Sequence, residues 1–301
     1  MLLVALAAQL LAVGCGVGPA PVERGAETGH PTPPATALAL EQEVPGARVE
    51  APPPSAPKAP GTVADAPPAD HSAALEELVL GLSPTLRQRL SDALYVYANA
   101  TPFPEETARA VIGPTRAAVR IVFWGDIRCR QCALLHDTLG YVRSQAPPAS
   151  MSLELRQYPL DGYCNPHLEK REEHSLHCTT AKMMICAEGS GHELDLLTAF
   201  YRNQASLPRE LAMEMTAAFI GWDRLTACLN DPALEAKLRA DTDYAAHVQV
   251  EVLPFVLLNG RRAPAFGPFL YAMCLSGGRT DHPALAALPP PNPKADFALT
   301  D

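Results

Sequence analysis

Positive charge is in short supply. Lysines and arginines number 24 against 33 aspartates and glutamates, a formal charge of −9. Nucleic-acid binding rests on a cationic surface meeting phosphate, so that class of function is excluded. The apolar run that opens the chain, Met1–Val13 (MLLVALAAQLLAV), is too short to cross a bilayer as a stable helix. Aromatic residues are almost missing from about Gly16 to Asp70, where PTPP, APPP and APP clusters stand instead. Such a stretch cannot bury enough apolar area to offset chain entropy, so a disordered, partly extended tether is expected there. No internal repeat is present.

Cysteine, by contrast, is plentiful. Eight cysteines suit an oxidising compartment better than the reduced cytosol. The N-terminus agrees, because Met1–Val13 reads as the apolar region of a secretory signal followed by small residues. Leu11-Ala12-Val13-Gly14-Cys15 resembles a bacterial lipobox, which makes Cys15 the expected lipidated N-terminus after cleavage. Two departures stand out: Ala12 occupies the usual leucine position, and no Lys or Arg precedes the apolar run. An ordinary cleaved signal is the alternative.

Residues 72–98 carry Leu75, Leu78 and Leu80, then Leu86, Leu90 and Leu94, at helical spacing, with Ser83-Pro84 as N-cap and first-turn proline of a second helix. Ala118–Trp124 (AVRIVFW) is strand-like, and Ala133–Arg143 is helical. Leu153–Tyr158 alternates as a second strand, and a long helical region fills about 178–250. Val252–Leu258 predicts a third strand, Asn259-Gly260 a two-residue hairpin turn, and Arg261–Ala265 a fourth strand. Phe269–Leu275 reads as a closing helix, and the Pro-rich chain beyond Asp281 is expected to be loose. This order predicts an α/β thioredoxin fold with an inserted helical subdomain. The expected division is a signal peptide and lipidation cysteine (1–15), a linker (16–71), a helical extension (72–112), the thioredoxin-like domain (113–282) and a tail (283–301).

The segment GDIRCRQCALLH places Cys129 and Cys132 in a CxxC. Such a pair can close a reactive disulfide, hold a metal or attach haem. Haem attachment needs a histidine directly after the second cysteine, and that residue is Ala133. A strand leading into a helix puts Cys129 at the helix N-terminus, where unpaired N–H groups and the helix dipole favour a thiolate. Cys132, nearly one turn in, suits a more buried resolving thiol. Arg128 and Arg130 further favour the anion, and Asp126 opposes them. His136 makes a CxxCxxxH, which keeps a copper-binding module as an alternative; an idle thioredoxin-fold scaffold is another.

Three segments then carry a resemblance. VRIVFWGDIRCRQCALLHDTL resembles the active-site segment of DsbA-like thiol:disulfide oxidoreductases of the thioredoxin superfamily. YPLDGYCNPH…HCTTAKMMICAEGSG at 158–191 is similar to the branch related to thioredoxin domains fused to vitamin K epoxide reductase homologues. VQVEVLPFVLLNGRR at 248–262 resembles the family's cis-proline loop and hairpin. The resemblance implies catalytic Cys129 and Cys132, substrate contact through Leu253 and Pro254, and a structural disulfide between Cys164 and Cys178. It implies no cofactor and no metal. Implied partners are extracytoplasmic proteins with cysteines and a membrane redox protein, met at the periplasmic face of a membrane through the lipid anchor. The chain departs from the family pattern at Arg130 (usually proline), Leu253 (usually threonine or valine) and Phe123, where relatives often bury a carboxylate.

The remaining cysteines and histidines read more plainly. Cys186 and Cys228 are expected to be buried thiols or a second staple, and Cys274 has no obvious partner. His136 is expected to be partly exposed, and His167, His174 and His177 to be solvated loop residues. Met183 and Met184 are expected to fill core.

Overall fold

The computed structural model describes residues 71–173 and 175–297. The expected signal segment, Cys15, the Pro/Ala-rich linker up to residue 70 and His174 lie outside the described residues. Among the described residues, no helix is long and apolar enough to cross a membrane.

Two helices come first, α1 (Ser72–Gly81) and α2 (Pro84–Asn99). Ser83 caps the second, its Oγ accepting from the Leu86 N–H at 3.3 Å with Pro84 in the first turn. Strand β1 (Val119–Gly125) runs into α3 (Arg130–Gln145) and returns as the parallel β2 (Met151–Gln157). Five helices follow: α4 (Leu176–Ala187), α5 (Glu193–Asn203), α6 (Arg209–Ile220), α7 (Trp222–Leu229) and α8 (Ala233–His247). Then come β3 (Phe255–Leu258), β4 (Arg261–Arg262) and α9 (Gly267–Leu275). The sheet order is β2-β1-β3-β4, with β3 antiparallel to both neighbours. A β-α-β unit joined to a β-hairpin and closing helix is the thioredoxin fold, and α4–α8 are the helical insertion.

The sheet is buried on both faces because β1 alternates. Val119, Ile121 and Phe123 point into the larger core with α3 and α9, while Trp124 packs edge-on against Tyr244 and Phe255 on the other side. The Asn-Gly turn forms as its chemistry requires: Asn259 and Gly260 both have positive φ (47° and 76°). The Asn259 side chain locks it, accepting from the Arg120 N–H and donating to the Ala118 carbonyl, each at 2.9 Å.

Three local expectations are corrected. The third strand begins at Phe255 rather than Val252, because Pro254 has no N–H to give a ladder. The fourth strand is two residues long. The tail is not loose up to the last described residue: Pro283–Ala287 forms a 3-10 helix that buries Ala284 and Leu285. Its prolines serve as acceptors, with Ser91 Oγ donating to the Pro289 carbonyl at 2.6 Å.

The expected helical extension 72–112 is helical only as far as Asn99; chain 102–112 instead straps the sheet. Pro102 bridges to Arg261 at one edge and Ile112 to Leu153 at the other. From this strap Arg109 enters a buried ionic cluster. It binds Asp241 of α8 through both Nη atoms (2.5 and 2.9 Å) and Glu188 just after α4. Asp241, with a wholly buried side chain, also accepts from Arg156 Nη1 at 3.0 Å and the Gln157 N–H at 2.9 Å. Burial pushes the neighbouring Glu154 carboxyl up, although Arg156 beside it opposes the shift. One carboxylate thus ties the strap, β2 and the insertion together.

Cysteines 186 and 228 form a disulfide joining α4 to α7. Cys274, on α9, is the free cysteine among the described residues. Burial pushes its thiol up to about 12, although the Ser150 side chain opposes the shift.

Two outcomes are expected. Asp241→Ala leaves Arg109 and Arg156 facing each other without their shared anion and should cost about 3–5 kcal/mol of stability in urea unfolding; a loss under about 1 kcal/mol would contradict its role as the tie. Cys274, held as a thiol, should resist iodoacetamide in the native protein at neutral pH and react once the protein is unfolded. Native labelling as fast as that of an exposed thiol would contradict its burial.

Candidate active site

Strand β1 ends at Gly125, and the chain must turn within four residues to start α3. A side chain at 125 would have its Cβ only 2.9 Å from the Phe123 ring and 3.1 Å from the Tyr201 hydroxyl, so glycine alone fits. Asp126 makes the turn. Its Oδ1 accepts from the Arg128 N–H at 2.8 Å, and its carbonyl accepts from the Cys129 N–H at 3.1 Å.

Cys129 is then the N-cap of α3. Its Sγ accepts from the Cys132 N–H at 3.0 Å, the place an N-cap oxygen normally fills. The two cysteines are joined as a disulfide with Cα atoms 5.2 Å apart. Their exposure differs: Cys129 is half-buried, while Cys132 is 0% exposed. Gln204, at the end of α5, holds the turn from behind by donating to the Ile127 carbonyl at 2.8 Å and, more weakly, the Cys129 carbonyl at 3.5 Å. Arg128 and Arg130 are both exposed, so water and salt screen whatever their charges do at Cys129.

Leu253 and Pro254 are half-buried, and the peptide bond between them is cis. Strand register pairs Trp124 with Phe255. Continued outward, it brings Leu253-Pro254 to the end of β1 from which the CxxC turn leaves. Cys164 and Cys178 form a disulfide, Cα atoms 5.8 Å apart, that ties the loop after β2 to the first turn of α4. Phe123 is buried, its ring part of the larger core.

Several histidines depart from expectation. His136 is buried rather than partly exposed, and its Nε2 lies 2.7 Å from Thr198 Oγ1. The Thr198 hydroxyl donates its proton to the Leu194 carbonyl, so His136 Nε2 is the donor. Burial lowers its affinity for a proton, although Asp137 favours the charge. The ring is turned onto α5, not toward the cysteine pair. Among the described residues, no group of three or more His, Cys, Asp or Glu side chains could hold a metal ion.

His177 is no loop residue. It stands in the first turn of α4 with Nδ1 2.7 Å from Asp126 Oδ2, which also accepts from the Leu160 N–H at 3.1 Å. His167 is exposed and pairs with Asp243 at 2.8 Å. Met183 and Met184 are both buried. Leu160 and His177 as partners of Asp126, and Gln204 as a partner of the turn, are not legible in the sequence because these bonds join residues tens of positions apart. The only hint was His177 directly before Cys178 at a helix start.

Compared with known proteins, a family model described as thioredoxin matches residues 105–265. Similar solved structures include BdbD from Bacillus subtilis in its oxidised form, at 15% identity and TM-score 0.44, covering 54% of this chain and 88% of that one. They also include alpha-DsbA1 from Wolbachia pipientis, at 19% identity and TM-score 0.40 (52% and 78% covered), and oxidoreductase DsbA from Xylella fastidiosa, at 19% identity and TM-score 0.39 (60% and 88% covered). Curated proteins give no match. The matched segment is more than half of the chain and runs from the strap through every strand and the helical insertion; the chain belongs to the thioredoxin family.

Proposed function

We propose that the protein is a DsbA-like thiol–disulfide oxidoreductase, anchored by a lipid at Cys15 on the periplasmic face of a membrane and acting on cysteines of extracytoplasmic proteins. The observation that carries this reading is the asymmetry of the pair. Cys129 is half-buried at a helix N-cap, whereas Cys132 is fully buried behind it. Thiol exchange needs one sulfur that a partner can reach and one that only the first can reach.

As an oxidant, the pair works in two displacements. A substrate thiolate attacks Cys129 Sγ, the Cys129–Cys132 bond breaks, and Cys132 leaves with the electron pair and takes up a proton. The substrate's second thiolate then attacks its own sulfur in the mixed disulfide, releasing Cys129 as a thiolate. The substrate loses two electrons and its thiol protons, and the pair gains two electrons. As a reductant, the steps reverse: Cys129 thiolate attacks a substrate disulfide and Cys132 resolves the intermediate. As an oxidant, Cys129 is the leaving group of the second step, and the Cys132 N–H and the α3 dipole stabilise the anion it becomes; as a reductant, the same contacts raise the share of Cys129 present as the attacking thiolate.

Leu253 and Pro254 would receive the substrate strand beside Cys129, Leu253 through its backbone. Arg128 and Arg130 add a weak, screened pull toward the anion. Cys164–Cys178 would act as a structural staple, worth roughly 3 kcal/mol in the chain-entropy estimate for a loop of this length. Electrons would pass between the pair and a membrane redox protein. The cysteine-rich composition, the apolar N-terminal run and the disulfides beyond the CxxC favour the oxidising compartment.

Cys129→Ser should abolish both oxidation of reduced RNase and reduction of insulin, and a wild type inert in both assays would overturn the enzyme reading. Cys15→Ala should shift the protein from the membrane to the soluble fraction on cell fractionation. Unchanged membrane association would rule out the lipid anchor.

A further inference from the structure

Behind the cysteine turn is a buried aspartate–histidine pair that thiol exchange, as written above, leaves without a task. The Asp126 carboxylate is 1% exposed and accepts three hydrogen bonds: from the N–H groups of Arg128 and Leu160 and from His177 Nδ1. A buried carboxylate in the turn that precedes Cys129 repels a thiolate there, and little water intervenes to weaken the repulsion. The His177 side chain is 20% exposed, so solvent reaches it while it holds the buried carboxylate. With a proton on the ring the pair would carry no net charge; without it, the carboxylate's charge would stand uncompensated in the turn that leads into Cys129.

The surroundings support a functional microenvironment. Asp126, Ile127, His177 and Tyr201 share a small cavity of about 20 Å³ beneath the turn, room for about one water. The other charged and titratable groups around the pair are few. Arg156 of β2 lines the same cavity, Asp161 lies in the following loop, and Tyr201 comes from α5. Arg128 and Arg130 stand outside in solvent. Burial first, and the Asp126 charge second, push the Tyr201 hydroxyl up, so it stays a neutral donor.

We propose that Asp126 and His177 form a charge couple that sets the thiolate acidity of Cys129 and, through it, the redox equilibrium of the Cys129–Cys132 pair. The couple rests on the reading of that pair as a redox centre and names what tunes it. His177 is a positioning residue that acts through Asp126 and touches neither sulfur nor substrate. The half-reaction it biases is disulfide plus two electrons plus one proton giving Cys129 thiolate and Cys132 thiol, the electrons coming from two glutathione thiols that become glutathione disulfide. Whatever stabilises the thiolate pulls this reaction toward the reduced pair.

The test equilibrates the full chain with glutathione buffers and follows thiolate absorbance of Cys129 against pH, in wild type, His177→Gln and His177→Lys. Gln keeps a hydrogen-bond donor to Asp126 and loses the charge. It should raise the Cys129 pKa by about one unit and move the equilibrium about tenfold toward the disulfide. Lys restores a fixed positive charge on a differently shaped side chain. It should return both quantities to wild-type values or carry them past those values, toward the thiolate and the reduced pair. A merely structural role predicts the reverse order, with Lys the worse variant; that order, or shifts under about twofold for His177→Gln, overturns the couple. The two readings fail separately. Potentials that move as described in a protein inert toward RNase and insulin sink the oxidoreductase reading alone. Unmoved potentials in an active enzyme sink the couple alone.

Discussion

The Cys132 amide N–H points at the Cys129 sulfur from 3.0 Å, and the site is arranged around that contact. A helix begins with N–H groups that have no partner in the helix, and a side-chain acceptor normally answers them. Here the acceptor is the sulfur whose anion the proposed chemistry would need to stabilise. Capping the helix and lowering the cost of a thiolate are therefore one interaction. Its geometry holds only if the strand end, the turn and the first turn of α3 stay in fixed relation.

Two sets of bonds keep that relation. Near the sulfur, Gly125 lets the chain pass between Phe123 and Tyr201, Asp126 closes the turn, and Gln204 grips it from α5. Farther away, the carboxylate of Asp241 ties the 102–112 strap and β2 to the helical insertion. The insertion in turn supplies α4 with His177 and α5 with Gln204 and Tyr201. Disulfides at both ends of α4 restrain it, Cys164–Cys178 at its start and Cys186–Cys228 near its end. The helical subdomain is thus the structure that furnishes polar partners to the cysteine turn.

Much of the sheet could be read locally. Ala118–Trp124 announces a strand by β-branched and aromatic residues, and Asn259-Gly260 announces the hairpin by the positive φ it tolerates. The CxxC at a helix start carried the site's main geometry in twelve residues. What was not legible depended on contacts that no periodicity encodes. Nothing in the sequence around Arg109 or Asp241 says that their charges meet in the interior. His136 sits at a position that helical spacing allowed to be exposed, and only the arrival of α5 buries it. His177 looked like loop because the chain before it is polar, yet Ser175 caps a helix there and turns the ring toward Asp126. The tail was misread because proline cannot extend a ladder, although its carbonyls and its neighbouring Ala284 and Leu285 can still dock.

If the site works as proposed, the Cys129–Cys132 bond is the reactive one of the three disulfides among the described residues. The direct measurement is a titration of the oxidised protein with increasingly reducing thiol buffers, followed by alkylation and peptide mass mapping of each cysteine. Cys129 and Cys132 should open as a pair in mild buffers, while Cys164–Cys178 and Cys186–Cys228 stay closed until far more reducing conditions. Opening of either other bond before Cys129–Cys132, or of all three together, would contradict it.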